Sequence, residues 1–136
     1  MNGTAATETT GIVTGGVRML LRLEGLMLLA GMMLLYALSG ESWWLFAILF
    51  LAPDLSFAGY LAGPRIGAIV YNAAHSYLAP TALMMAGFAL AFPLALAVGT
   101  IWLAHIGFDR ALGYGLKYPA GFGFTHLGRI GGKATT

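Results

Sequence analysis

Cysteine is absent from the chain. That excludes a disulfide framework, a thiolate metal site and a catalytic thiol. Charge is almost as scarce: 9% of residues are Asp, Glu, Lys or Arg, against the ~25% usual in soluble domains. A net charge of +2 is too small for a nucleic-acid surface, so no nucleic-acid partner is expected. The rest is apolar. Of 136 residues, 59% are hydrophobic, and the mean hydropathy is +0.81. This is the composition of an integral membrane protein, whose first partner is the lipid bilayer. The length suits one compact unit without an attached soluble module.

The apolar runs predict an all-α fold, an antiparallel four-helix transmembrane bundle. Residues 1–16, rich in Thr, Gly and Ala, read as a flexible N-terminal tail. Residues 17–117 hold the four spans. The first carries Leu26 to Leu38 and ends at Ser39-Gly40-Glu41. A signal peptide cleaved after Ala37-Leu38-Ser39 is the alternative. The long leader and the immediate return to apolar sequence argue against it. Trp43 and Trp44 suit an interfacial belt at the start of the second span, which Pro53-Asp54 interrupts. Ala62-Gly63-Pro64-Arg65 is a turn. Ile66 to Lys117 is too long for one span of ~20 residues and right for two. The break is expected near Phe88–Pro93, because proline suits the first turn of a new helix. Residues 118–136 form a glycine- and aromatic-rich tail, lying on the membrane surface or packed under the bundle.

Charge sets the orientation. In a four-span chain Arg18, Arg22, Arg65, Arg110, Lys117, Arg129 and Lys133 all fall on one side. The turns at Ser39–Ser42 and Phe88–Pro93 carry no Lys or Arg. Basic residues concentrate in cytoplasmic loops, so both termini are expected in the cytoplasm of a bacterial cell, with the spans in its inner membrane.

The few polar residues inside the spans share one depth. His105 and Asp109 stand four apart, on one helix face. Counting 1.5 Å per residue from the cytoplasmic side, Asp54, Asn72, His75, His105 and Asp109 lie roughly two to three turns in, and Glu24 lies nearer the surface. Ionisable groups at such depth are costly and mark functional sites by default. Imidazole and carboxylate together suit zinc, iron or manganese. Helix bundles build such sites from facing side chains, and Glu24, Asp54, Asn72-x-x-His75 and His105-x-x-x-Asp109 loosely echo the di-iron carboxylate pattern. The expected ligands are His75, His105, Asp109 and Asp54, with Glu24 a further candidate. Asp54 and Asp109 are candidate catalytic groups, and Tyr71 and Asn72 supporting ones. The bound metal would activate water, pointing to an enzyme acting on an apolar or lipid substrate. Two alternatives use the same residues. Buried Asp and His form proton relays in transporters, and a chain this small would have to pair into a homo-oligomer to build a pathway. His75 and His105 could also ligate haem from facing helices.

The plainer reading is a structural membrane subunit whose polar residues only bond one another across helices. Glu24 fits it best, as a partner of Arg18 and Arg22. Arg110 and Lys117 read as side chains reaching toward head groups, and Gly59-x-x-x-Gly63 with Gly107, Gly113 and Gly115 as close-packing positions. His126 reads as a solvated or capping residue that a folded-back tail could carry under the site.

The run HIGFDRALGYGLKY at residues 105–118, FTHLG at residues 124–128, Pro53-Asp54-Leu55-Ser56 and Tyr71-Asn72-Ala73-Ala74-His75 resemble a family of short bacterial integral membrane proteins described as a domain of unknown function. The similarity runs from Arg18 to about Gly128. It implies four spans and brings no reaction with it.

Overall fold

The computed structural model describes residues 11–130. Residues 1–10 of the expected N-terminal tail lie outside the described residues, as do Lys133 and the rest of 131–136. Helix α1 spans Gly15–Ser39, so it starts inside the stretch expected as tail. Its Leu, Met and Ala are strong helix formers. Gly40, at φ 75°, ends it in a conformation that disfavours a Cβ. The Ser42 hydroxyl then accepts from the Trp44 amide at 3.2 Å, capping α2 (Trp43–Leu49). A 3₁₀ segment, Ala52–Ala62, follows with Pro53 in its first turn. Beyond Gly63 come α3 (Pro64–His75), α4 (Leu78–Ala89) and α5 (Pro93–Leu112). Two short antiparallel strands, β1 (Phe124–Thr125) and β2 (Gly128–Arg129), close the described chain, with Phe124 opposite Arg129.

The chain is thus mostly helical. Two helices, Gly15–Ser39 and Trp43–Ala62, are long and apolar enough to cross a membrane. The expected break near Phe88–Pro93 falls between Ala89 and Pro93. The stretch before it is not one continuous helix. Ser76 is extended, at φ −90° and ψ 159°, because Pro80 has no amide to offer the Ser76 carbonyl. Helix α3 therefore ends at His75, with that residue's carbonyl open to an outside donor.

The 3₁₀ segment has its own consequence. With three residues per turn, Asp54, Phe57 and Tyr60 repeat on one face. Phe57 stacks on Tyr71 of α3, 5.2 Å between centroids, and Tyr60 lies over Gly67. An α-helix would spread these three around the axis.

Helix α5 is the centre, packed between α1 and α4 and carrying more buried residues than any other element. It crosses α1 at glycine. A Cβ on Gly25 would fall 2.9 Å from both the Gly107 carbonyl and the Ala111 amide. One on Gly107 would fall 2.8 Å from the Gly25 carbonyl and the Leu29 amide. Gly63, in contrast, has nothing near its Cβ position and serves the turn at φ 108°. The Arg18 Nε donates to the Leu127 carbonyl and the Arg22 Nε to that of Ala111, at 2.9 Å for the second. These bonds hold the start of α1 against the end of α5 and the C-terminal hairpin.

Gly25→Ala and Gly107→Ala should each destabilise the fold by about 1–3 kcal/mol through backbone overpacking. Gly31→Ala, where nothing lies within 4 Å, should be neutral or stabilising by up to about 1 kcal/mol. Thermal unfolding of the three variants in one detergent checks both.

Candidate metal centre

Three elements meet at one point. Asp54 comes from the first turn of the 3₁₀ segment, His75 from the last residue of α3, and His105 and Asp109 from successive turns of α5. His75 is 0% and His105 1% exposed. The side chain of Asp54 is 34% exposed, so the group opens on that side.

The distances are uniform. His75 Nε2 lies 3.2 Å from Asp54 Oδ1, 3.2 Å from His105 Nε2 and 3.4 Å from Asp109 Oδ2. His105 Nε2 lies 3.2 Å from Asp54 Oδ1 and 3.3 Å from Asp109 Oδ2. All four residues can offer ligand atoms within 4.8 Å of one another. A tetrahedral ion with bonds of 2.0–2.1 Å separates its ligand atoms by about 3.3–3.4 Å. The donor set, two imidazoles and two carboxylates, is one that zinc, iron and manganese accept.

The imidazoles are held from behind. His75 Nδ1 donates to the Tyr71 carbonyl at 2.9 Å, which in the neutral ring turns the Nε2 lone pair toward the group. The Tyr71 ring lies flat on the His75 ring, 3.7 Å between centroids and 9° between planes. Phe50 stands edge-on to His105 at 5.4 Å. His105 Nδ1 is buried without a hydrogen-bond partner among the described residues.

The other expected site residues lie elsewhere. Glu24 is exposed on α1 and is not in the group. Nor does it pair with Arg18 or Arg22, which bind backbone carbonyls instead. Tyr71 supports the site with its carbonyl and ring rather than its hydroxyl. Asn72 does not reach it. Its amide clamps the backbone of Lys117, accepting from the Lys117 N–H at 2.7 Å and donating to the carbonyl at 2.8 Å. Arg110 and Lys117 depart from expectation most: they are 5% and 3% exposed. Backbone carbonyls and rings draw them inward. Lys117 Nζ donates to Phe122 O at 2.7 Å and sits over the Phe122 ring at 3.7 Å. Arg110 Nη2 donates to the open His75 carbonyl at 2.9 Å.

The C-terminal segment packs against the helices. Thr125 and Leu127 are fully buried, and His126 Nδ1 accepts from the Leu116 amide at 2.9 Å. A family model described as Domain of unknown function (DUF4260) matches residues 18–130. The chain belongs to this family. The matched range contains all four residues of the group and the hairpin. No curated protein and no solved structure matches the chain, so the family membership carries no activity with it and the chemistry rests on the site.

Burial, then the Arg110 charge, pushes the His126 pKa below its ordinary value. A released segment would take up a proton near pH 6.5, the docked one only at lower pH. Docking strength is therefore full above about pH 6.5 and falls as pH drops through that value, levelling off below the docked pKa. Hydrogen exchange at the Leu116 amide should accelerate on acidification to pH 5, relative to amides within α5, and a His126→Gln variant should lose that acceleration.

Proposed function

We propose that this is a four-span membrane protein that binds one divalent metal ion through Asp54, His75, His105 and Asp109. One observation carries the metal: the Nε2 atoms of His75 and His105 lie 3.2 Å apart, and each lies 3.2–3.4 Å from both Asp54 Oδ1 and Asp109 Oδ2. In the neutral His75 ring the proton is on Nδ1, so Nε2 offers its lone pair to an ion. A cation held among these nitrogens and carboxylate oxygens would take a ligand atom from each of the four residues. Two imidazoles with two carboxylates suit zinc, iron or manganese. Two imidazole nitrogens 3.2 Å apart and flanked by carboxylates leave no plane between them for a porphyrin.

The same reading extends to an enzyme on an apolar or lipid substrate. A cavity of about 300 Å³, lined by Leu49, Ala52, Pro53, Ser56, Ala74, Val98 and Trp102, lies alongside the group. Pro53 and Ala74 are the chain neighbours of Asp54 and His75, so an apolar chain in the cavity would lie near the exposed side of the site. A divalent ion supplies Lewis acidity for activating water at neutral pH.

The outer surface supports the membrane part. Trp44, Ile48, Leu55, Leu61, Leu78 and Phe88 are each at least 72% exposed, and bilayer lipid is the solvent that suits them. Arg18 and Arg22 lie beside the end of α5, where Arg110 also sits. That clustering supports a cytoplasmic floor, with both ends on the cytoplasmic side of the bacterial inner membrane.

Elemental mass spectrometry of the detergent-purified chain, carrying no histidine tag, should find about one zinc, iron or manganese per chain. A His75→Ala/His105→Ala double variant should have none, and chelation of the wild type should lower its stability by roughly 3 kcal/mol or more. A wild type that stays metal-free after the medium is supplemented overturns the metal. It makes the group a proton-sharing cluster of the kind used in coupled transport. Orientation has a separate check. Since the chain has no cysteine, Glu41→Cys should react with an impermeant maleimide added outside intact spheroplasts, and Ala120→Cys should not.

A further inference from the structure

We propose that a second cavity, beside Arg110, is a binding site for a phosphate group. It is separate from the metal-binding group and does not depend on the metal reading. The cavity is about 320 Å³, and Glu24, Ser76, Tyr77, Leu78, Arg110 and His126 are among its lining residues.

Arg110 is the reason. The residue is only 5% exposed. Its two hydrogen bonds among the described residues go to carbonyls, those of Tyr114 and His75, each at 2.9 Å. The ring of Tyr77 lies 5.9 Å from its Cζ. The ion pairs found among the described residues all join His75 or His105 to Asp54 or Asp109. A buried charge without a counter-ion is costly. Three of the five guanidinium N–H donors are left over, on a side chain whose planar fork matches phosphate oxygens.

The rest of the wall supplies matching donors. His126 spends Nδ1 as an acceptor from Leu116, so its proton is on Nε2 and is available to donate. Ser76 and Tyr77 add hydroxyls. Leu78, 81% exposed, continues the wall outward as apolar surface. Glu24 is the one acidic group in the lining, and it is exposed. It repels an anion, which gives the site a signed test. A phosphate in the cavity would also sit on the residue that holds the end of α3, because Arg110 binds the carbonyl of the metal-ligand candidate His75. The shared chemistry is an anionic phosphate group, and it could come from a lipid head group or from free phosphate.

The test uses the full chain in detergent and native mass spectrometry. The probes are short-chain phosphatidylglycerol, diacylglycerol with the same chains, and inorganic phosphate. Phosphatidylglycerol should bind with one site per chain and diacylglycerol should not. Glu24→Gln, on an exposed position, should tighten binding about two- to fivefold. Arg110→Lys keeps the charge and loses the fork, and should weaken binding about tenfold. Competition by inorganic phosphate with the same response to both variants makes free phosphate a ligand. Binding of the lipid alone makes the head group the ligand. Equal binding of diacylglycerol, or a Glu24→Gln variant that binds no more tightly, overturns the proposal even if Arg110→Lys fails to fold. Metal content, measured on every sample, reports separately on the first site.

Discussion

The hydrogen bond from His75 Nδ1 to the Tyr71 carbonyl decides what the polar group can be. Without it the neutral His75 ring could carry its proton on Nε2 and donate it to Asp54 or Asp109. With it, a lone pair is aimed at three other ligand atoms. The bond exists because α3 continues as far as residue 75 and no farther. The i−4 carbonyl is then within reach of the side chain, and the residue's own carbonyl is left for Arg110. The chain break at Ser76, imposed by Pro80 four residues on, thus shapes the site from both ends of one residue.

Parts of this were legible in the sequence. The i, i+4 spacing of His105 and Asp109 predicts a shared helix face, and α5 carries both to one point. Counting turns also places Asp54 and His75 at the same depth, because helical rise depends little on context. The breaks at Gly40, Gly63 and ahead of Pro93 follow from residue chemistry alone. What could not be read is non-local. Nothing in residues 52–62 announces a 3₁₀ segment of that length, since runs beyond three or four residues are uncommon. Asn72 looked like a helper of His75 because it is three residues away. Its true partner, Lys117, is 45 residues on. Arg110 and Lys117 read as outward-facing because long cations usually are. Their burial depends on carbonyls and rings delivered by other elements.

The division of labour among helices follows from burial. Helix α5 holds most of the core and half of the ligand group, and it can do so because glycines on α1 and α5 let the two backbones approach. The 3₁₀ segment contributes Asp54 and, three residues apart, the rings that wall off α3. The C-terminal segment packs nothing comparable in size, yet Lys117 over Tyr71 at 4.8 Å and Tyr71 over His75 make a stack that runs from the tail to the ligand.

The pairing of the chain's two ends has a kinetic meaning. Val13 donates to the His126 carbonyl at 2.8 Å, Tyr118 to that of Gly11 at 2.6 Å, and Arg18 to that of Leu127, a separation of 109 residues. Contacts that distant in sequence form late, because the loop they close must first be brought together. The helices can assemble before these contacts close, so the segment that buries Thr125 and Leu127 is among the last parts of the fold to settle.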